Sequence, residues 1–142
     1  MNNLRMAESY LNQAGERLKH AEEALHHGNY PYVMRQSQEA VELSLKAALR
    51  VVGIEPPKWH DVGPILMQNR DRFPEWFREK IPKIASMSRK LRREREASMY
   101  GDEETGLPPE SLYTDEDAKE ALSYADFVYE ACRRLLEAVK SK

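Results

Sequence analysis

The residues best suited to chemistry in this chain are arginines. Residues 70–95 hold ten Lys/Arg against four Asp/Glu, whereas residues 96–130 hold one Lys against eleven acids. A basic block of this kind suits a phosphate-bearing partner, and the acidic block that follows is equally suited to neutralising it within the fold. Arg95 stands apart from the other cations. On a helix expected over residues 82–99, Ile84, Ser88 and Leu91 form the inner face, and Arg95 continues that stripe three turns from Ile84. An unpaired guanidinium on a core face is costly. Arg95 therefore either snorkels or pairs with a carboxylate at a helix end, or it holds an anion.

Other constellations fail on composition. The chain has no glycine-rich phosphate loop, no CxxC pair and no HExxH. Glu23-x-x-His26 is a single copy of a spacing that di-iron bundles use twice, with further inward glutamates. His20, His26 and His27 read as surface or helix-terminal residues, and no metal or other cofactor is expected. The lone Cys132 excludes an intrachain disulfide and fits a reducing compartment. It lies on the seam Ala121, Ala125, Val128, Cys132, Leu135, Val139, which predicts a buried thiol and not a nucleophile. The N-terminal segment has no apolar leader and no window approaches a bilayer-spanning length, so a cytoplasmic protein without membrane contact is expected. A length of 142 residues suits one domain over 1–142, able to bury roughly 70% of its extended-chain surface.

The elements that must position these groups are helical. Leu4, Leu11, Leu18 and Leu25 alternate with Ala7, Ala14 and Ala21 in an unbroken heptad. A second helix presents Val33, Ser37, Ala40, Ser44, Ala47 and Val51 as a face of small side chains, which lets a neighbour approach closely. Between them His27-Gly28-Asn29-Tyr30-Pro31 supplies a glycine stop, an Asn cap and a first-turn proline, so the two form a hairpin. Gly53 ends the second helix, His60 or Asp61 caps a short one carrying Val62, Ile65 and Leu66, and Pro74 starts another that runs to about Glu79. Residues 101–113 form an acidic loop, and Thr114 with Asp117 resembles a capping box opening a final helix. The expectation is an all-α, up-and-down bundle of four main helices with short extra turns. Because the apolar arc of the second helix and the aromatic Phe73 to Phe77 segment exceed what one bundle covers, a homodimer is also expected.

In their order these residues resemble a known family. The hairpin with Gln38-Glu39-Ala40-Val41-Glu42 and Leu45-Lys46-Ala47-Ala48-Leu49, then Gly53, then Trp59-His60-Asp61-Val62 and Leu66, is similar to the HEPN domains, small helical bundles common in archaea and bacteria. Arg92-Arg93-Glu94-Arg95-Glu96-Ala97-Ser98-Met99-Tyr100-Gly101-Asp102 and the start of the last helix resemble that family's later segment. The resemblance implies a homodimer, frequently paired with a small nucleotidyltransferase in a toxin–antitoxin-like pair. In many members it also implies a metal-independent endoribonuclease using Arg followed after four to six residues by His.

Here the pattern departs from the family. Arg95 is followed after four residues, and Arg93 after six, by Tyr100, and no histidine occurs from 61 to 142. Cleavage by 2′-hydroxyl attack needs a group that exchanges a proton near neutral pH and a cation for the phosphate, and arginine serves only the second. A tyrosine of ordinary pKa, about 10, is a weak base but a competent donor to phosphate. The expectation is a non-catalytic module that binds a nucleotide or RNA phosphate through Arg92, Arg93, Arg95, Tyr100 and Asp102. The alternative is a ribonuclease in which His60 folds across to join Arg95 and Tyr100. A third, structural reading pairs Arg95 with Glu42 or with an acid of the 101–113 loop.

Overall fold

The leucine–alanine heptad folds as α1 (Asn3–His26) and the small-residue segment as α2 (Tyr30–Val51) in the computed structural model, which describes residues 2–58 and 61–142. Ala7, Leu11, Ala14, Leu18 and Ala21 are buried along α1, while Leu4 at its open end is 38% exposed. Facing them on α2, Val33, Ser37, Ala40, Ser44 and Ala47 are completely buried. The Ser37 and Ser44 hydroxyls have no hydrogen-bond partner, so these residues contribute small size and not polarity. Gly28 turns the hairpin at φ 73°, and the Asn29 N–H closes the end of α1 on the Ala24 carbonyl at 2.9 Å. Asn29 occupies the cap position of α2 without a side-chain cap hydrogen bond.

Gly53, at φ 80°, ends α2, and the Ile54 N–H reaches back to the Leu49 carbonyl at 2.9 Å. Two short helices follow, α3 (Val62–Gln68) and α4 (Glu75–Arg78), with a 3₁₀ turn at Arg70–Arg72 between them. Asp61 is the cap of α3: its Oδ1 accepts the Gly63 N–H at 3.2 Å and the Ser88 hydroxyl at 3.3 Å, which ties α3 to the next helix. His60, the other cap expected from sequence, lies outside the described residues. At Gly63 a Cβ would sit 3.3 Å from Ala85, so glycine permits the close packing of α3 there.

The segment expected as one helix over 82–99 is instead α5 (Ile81–Arg93) and α6 (Arg95–Tyr100), broken at Glu94. The break has a direct consequence for the inner stripe. Ile84, Ser88 and Leu91 are buried as expected, but after the break at Glu94 α6 buries Ser98 and leaves Arg95 exposed. Arg95 is therefore not a buried polar residue on the core face.

After the loop and a 3₁₀ turn at Pro109–Ser111 comes α7 (Asp115–Lys140). Its start is the expected capping box, with Thr114 Oγ1 accepting the Asp117 N–H at 3.2 Å and Asp117 Oδ2 accepting the Thr114 N–H at 3.0 Å. The long helices α1, α2 and α7 pack on one another, and α5 and α6 flank α2 on its other side with α3 against α5. No strand occurs among the described residues, and no helix is long and apolar enough to cross a membrane. Cys132 is fully buried and desolvation pushes its thiol well above the ordinary range, so it is packed and chemically quiet.

The ground offered for a dimer is answered within the chain. Met34, Val41, Leu45, Ala48 and Leu49 of α2 are covered by the surrounding helices, and Phe73 and Phe77 are 2% and 0% exposed. One chain encloses the arc because α3, α5 and α6 pack on α2 in addition to α1 and α7.

Candidate functional site

The α5–α6 junction gathers the candidate residues, and packing gives each a different environment. Arg92 Nη1 lies 3.4 Å from Glu42 Oε1, with both side chains partly buried. The arginine–Glu42 pair anticipated for Arg95 is thus made by Arg92, one turn earlier on α5. It ties α5 to α2, a structural task.

Glu94, the residue at the break, accepts the Tyr113 hydroxyl at 2.9 Å. Burial, reinforced by that carboxylate, pushes the Tyr113 phenol well above its ordinary range and keeps it a donor. Sequence reasoning missed this pair. The only sequence signal was a glutamate in an arginine run and a tyrosine just before a capping box.

Arg93 is exposed and borders two depressions. One, of about 390 Å³, is lined among others by Lys90, Glu94, Tyr113, Asp117 and Tyr124. The other, of about 440 Å³, holds Glu96, Asp102, Glu103 and Glu104 with Arg93 as its sole cation. Four carboxylates around one guanidinium make this second depression unsuited to an anion. The acidic block thus partly neutralises the basic block, at Arg93.

Asp102 is committed to its own loop. Its Oδ1 accepts the N–H groups of Glu104 and Thr105 at 3.1 and 3.3 Å, and its backbone N–H donates to the Leu107 carbonyl at 2.8 Å. That is a turn-building role.

Arg95 and Tyr100 remain. Arg95 is exposed on the first turn of α6, and its carbonyl accepts the Ser98 hydroxyl at 3.0 Å. Among the described residues no carboxylate lies within ion-pair distance of its guanidinium. Tyr100, at the other end of α6, is 62% exposed. Five residues of helix separate them by about 140° around the axis, so they flank α6 and do not share one face. Each can meet a phosphate from its own side of α6, Arg95 by charge and Tyr100 by hydrogen bonding. His60, third member of the alternative ribonuclease set, lies outside the described residues. His20, His26 and His27 are exposed on or beside α1, and no group of three or more His, Cys, Asp or Glu among the described residues is arranged to hold a metal ion.

No curated protein and no solved structure matches this chain. A family model does: the HEPN domain matches residues 7–135, from the first buried alanine of α1 to the buried Leu135 of α7. With that match spanning α1 through most of α7, the chain belongs to the HEPN domain family.

Proposed function

We propose that this chain is a non-catalytic HEPN module that binds a nucleotide or RNA phosphate at α6 and acts as the regular partner of a small nucleotidyltransferase. One observation carries the reading: α6 presents an exposed Arg95 with no carboxylate within ion-pair distance among the described residues, and exposed Tyr100 stands where the family's catalytic pattern has histidine. The cation that would hold a phosphate is available. The histidine that would shuttle a proton is replaced by a tyrosine, whose hydroxyl can hydrogen-bond a phosphate.

Purified protein incubated with structured and single-stranded RNA in EDTA is expected to leave the RNA intact. Arg95→Ala is expected to weaken nucleotide or RNA binding by about 1–3 kcal/mol, with the thermal midpoint nearly unchanged because the guanidinium is exposed. Cleavage that disappears in His60→Ala overturns the non-catalytic reading in favour of a ribonuclease. Unchanged affinity in Arg95→Ala removes the anion site. The nucleotidyltransferase partner rests on the family resemblance, and an adjacent reading frame encoding one is the observation that supports it.

A homodimer belongs to the same proposal, on residues other than the α2 arc and the Phe73 to Phe77 segment. Met99, Tyr100 and Leu107 expose large apolar side chains, at 38%, 62% and 45%, on α6 and the loop after it. A partner covering them would bring two Arg95 side chains close to one groove. Light scattering after size exclusion at low micromolar concentration is expected to give twice the chain mass, reduced toward one in Tyr100→Glu. A monomeric wild type removes the shared groove.

A further inference from the structure

The seam between α4–α5 and α7 carries a feature that the α6 reading does not use. Three half-buried rings lie along it, each covered by cations from the facing element. The Arg134 guanidinium is 4.2 Å from the centroid of Trp76, Lys83 Nζ and Lys80 Nζ are 4.6 and 6.0 Å from that of Phe127, and Lys90 Nζ is 5.6 Å from that of Tyr124. The order is antiparallel, rising from residue 76 to 90 on one side and falling from 134 to 124 on the other. The pairs therefore form a row and not a cluster.

The cations in this row meet rings and, for Lys90, the Tyr124 hydroxyl at 3.5 Å, but no carboxylate within ion-pair distance among the described residues. Helix α5, from Ile81 to Arg93, contains no acidic residue, and none of Lys80, Lys83, Lys90 or Arg134 forms an ion pair among the described residues. Carboxylates do occur on the α7 side. Glu130 is engaged by Arg133 at 2.9 Å, and partial desolvation together with Glu22 and Glu130 pushes the Asp126 carboxyl up from its ordinary value. A depression of about 550 Å³ is lined by Lys80, Arg133, Arg134 and Phe127 together with Asp126, Glu130 and Glu137, and the 390 Å³ depression, where Lys90, Arg93 and Tyr124 meet Glu94, Asp117 and Glu120, continues the row toward Arg93.

We propose that this seam is a binding track for a single-stranded polynucleotide, whose phosphates take Lys80, Lys83, Lys90 and Arg134 and whose bases stack on Phe127, Tyr124 and Trp76. Alternation of cations with half-exposed rings is the arrangement that holds a single strand without reading its sequence. A lysine resting on a ring at a surface gains little there. A phosphate offers it a stronger partner and at the same time uncovers the ring for a base. An apolar ligand would make no use of lysines set at intervals along about 15 Å of helix. The proposal deepens the α6 reading, on which it rests for the direction of the strand, since the row ends beside Arg93 and α6.

Fluorescence anisotropy decides it, with labelled oligouridylates of about twelve and about three nucleotides, a span within the site sizes of such grooves, and labelled AMP for α6. The longer strand is expected to bind at least about tenfold more tightly than the shorter. Lys83→Glu combined with Lys90→Glu, and separately Phe127→Leu, which keeps apolar packing but removes the ring, are each expected to lose about tenfold on the longer strand with AMP binding unchanged. Circular dichroism confirms that the variants fold. Equal affinity for long and short strands, or unchanged binding in both variants, overturns the track. Binding to phosphatidylglycerol vesicles that is lost in the lysine variant, with no binding to the longer strand, overturns it in favour of a membrane surface. If AMP does not bind and Arg95→Ala changes nothing while the seam variants still lose the longer strand, the track stands and the α6 reading falls.

Discussion

Phe77→Ala is expected to cost about 3–5 kcal/mol of stability, the range for deleting a completely buried aromatic side chain. Phe77 is 0% exposed, stacked on Phe73 at a centroid distance of 4.9 Å and met edge-on by Trp76 at 5.8 Å. Alanine would remove the ring and also leave both neighbours facing a void that the short helix α4 is poorly placed to close. Urea unfolding should show a lower midpoint with an unchanged slope. Phe77→Leu should recover most of the loss because it refills the volume without the ring geometry. A cost below about 1 kcal/mol would mean that α4 is not part of the cooperative core. The cluster also orients Trp76, one of the three seam rings, so destabilisation here is expected to reduce strand binding as a secondary effect.

Gly101→Ala is expected to cost about 2–3 kcal/mol, through backbone strain and a direct clash. Gly101 has φ 75° and ψ −161°, a combination open essentially to glycine alone. A Cβ there would lie 2.2 Å from the Leu107 carbonyl oxygen and 3.0 Å from Pro108 backbone atoms. Relief would require opening the turn in which Asp102 and Leu107 exchange backbone hydrogen bonds, at 2.8 and 3.1 Å. Gly106 is the internal comparison: its φ is 73° but nothing lies within 4 Å of its added Cβ. Gly106→Ala should therefore cost only about 1 kcal/mol. Thermal midpoints of the two variants measured together test the distinction, and hydrogen exchange should place the Gly101→Ala loss in α6 and the loop. Equal midpoints would show that the Leu107 carbonyl moves aside freely.

What the sequence by itself determined is whatever depends on short-range spacing. The heptad of α1, the small-residue face of α2, the glycine turns at 28 and 53, the Thr114–Asp117 capping box and the burial of Cys132 are all set by neighbours within one or two helical turns. Each stands where its pattern placed it. Family membership was legible for the same reason, since it rests on an ordered series of such local patterns.

Tertiary structure alone decided how the candidate site is built. Glu94 is a good helix former inside a run of good helix formers, with no glycine or proline to stop α5. The helix ends there in a packed setting, with Tyr113, nineteen residues on, bonded to the Glu94 carboxylate and Ser98 turned inward against α2. That single break exposes Arg95, leaves Arg92 as the partner of Glu42, and ends the row of cations on α5 beside α6. Which arginine pairs across the fold depends on one carboxylate, Glu42, fifty residues away on α2, and no periodicity within α5 encodes that distance. The lysine-capped rings are non-local in the same way. Lys83 and Phe127 meet because two helices far apart in sequence pack antiparallel, and only their packing sets cation against ring.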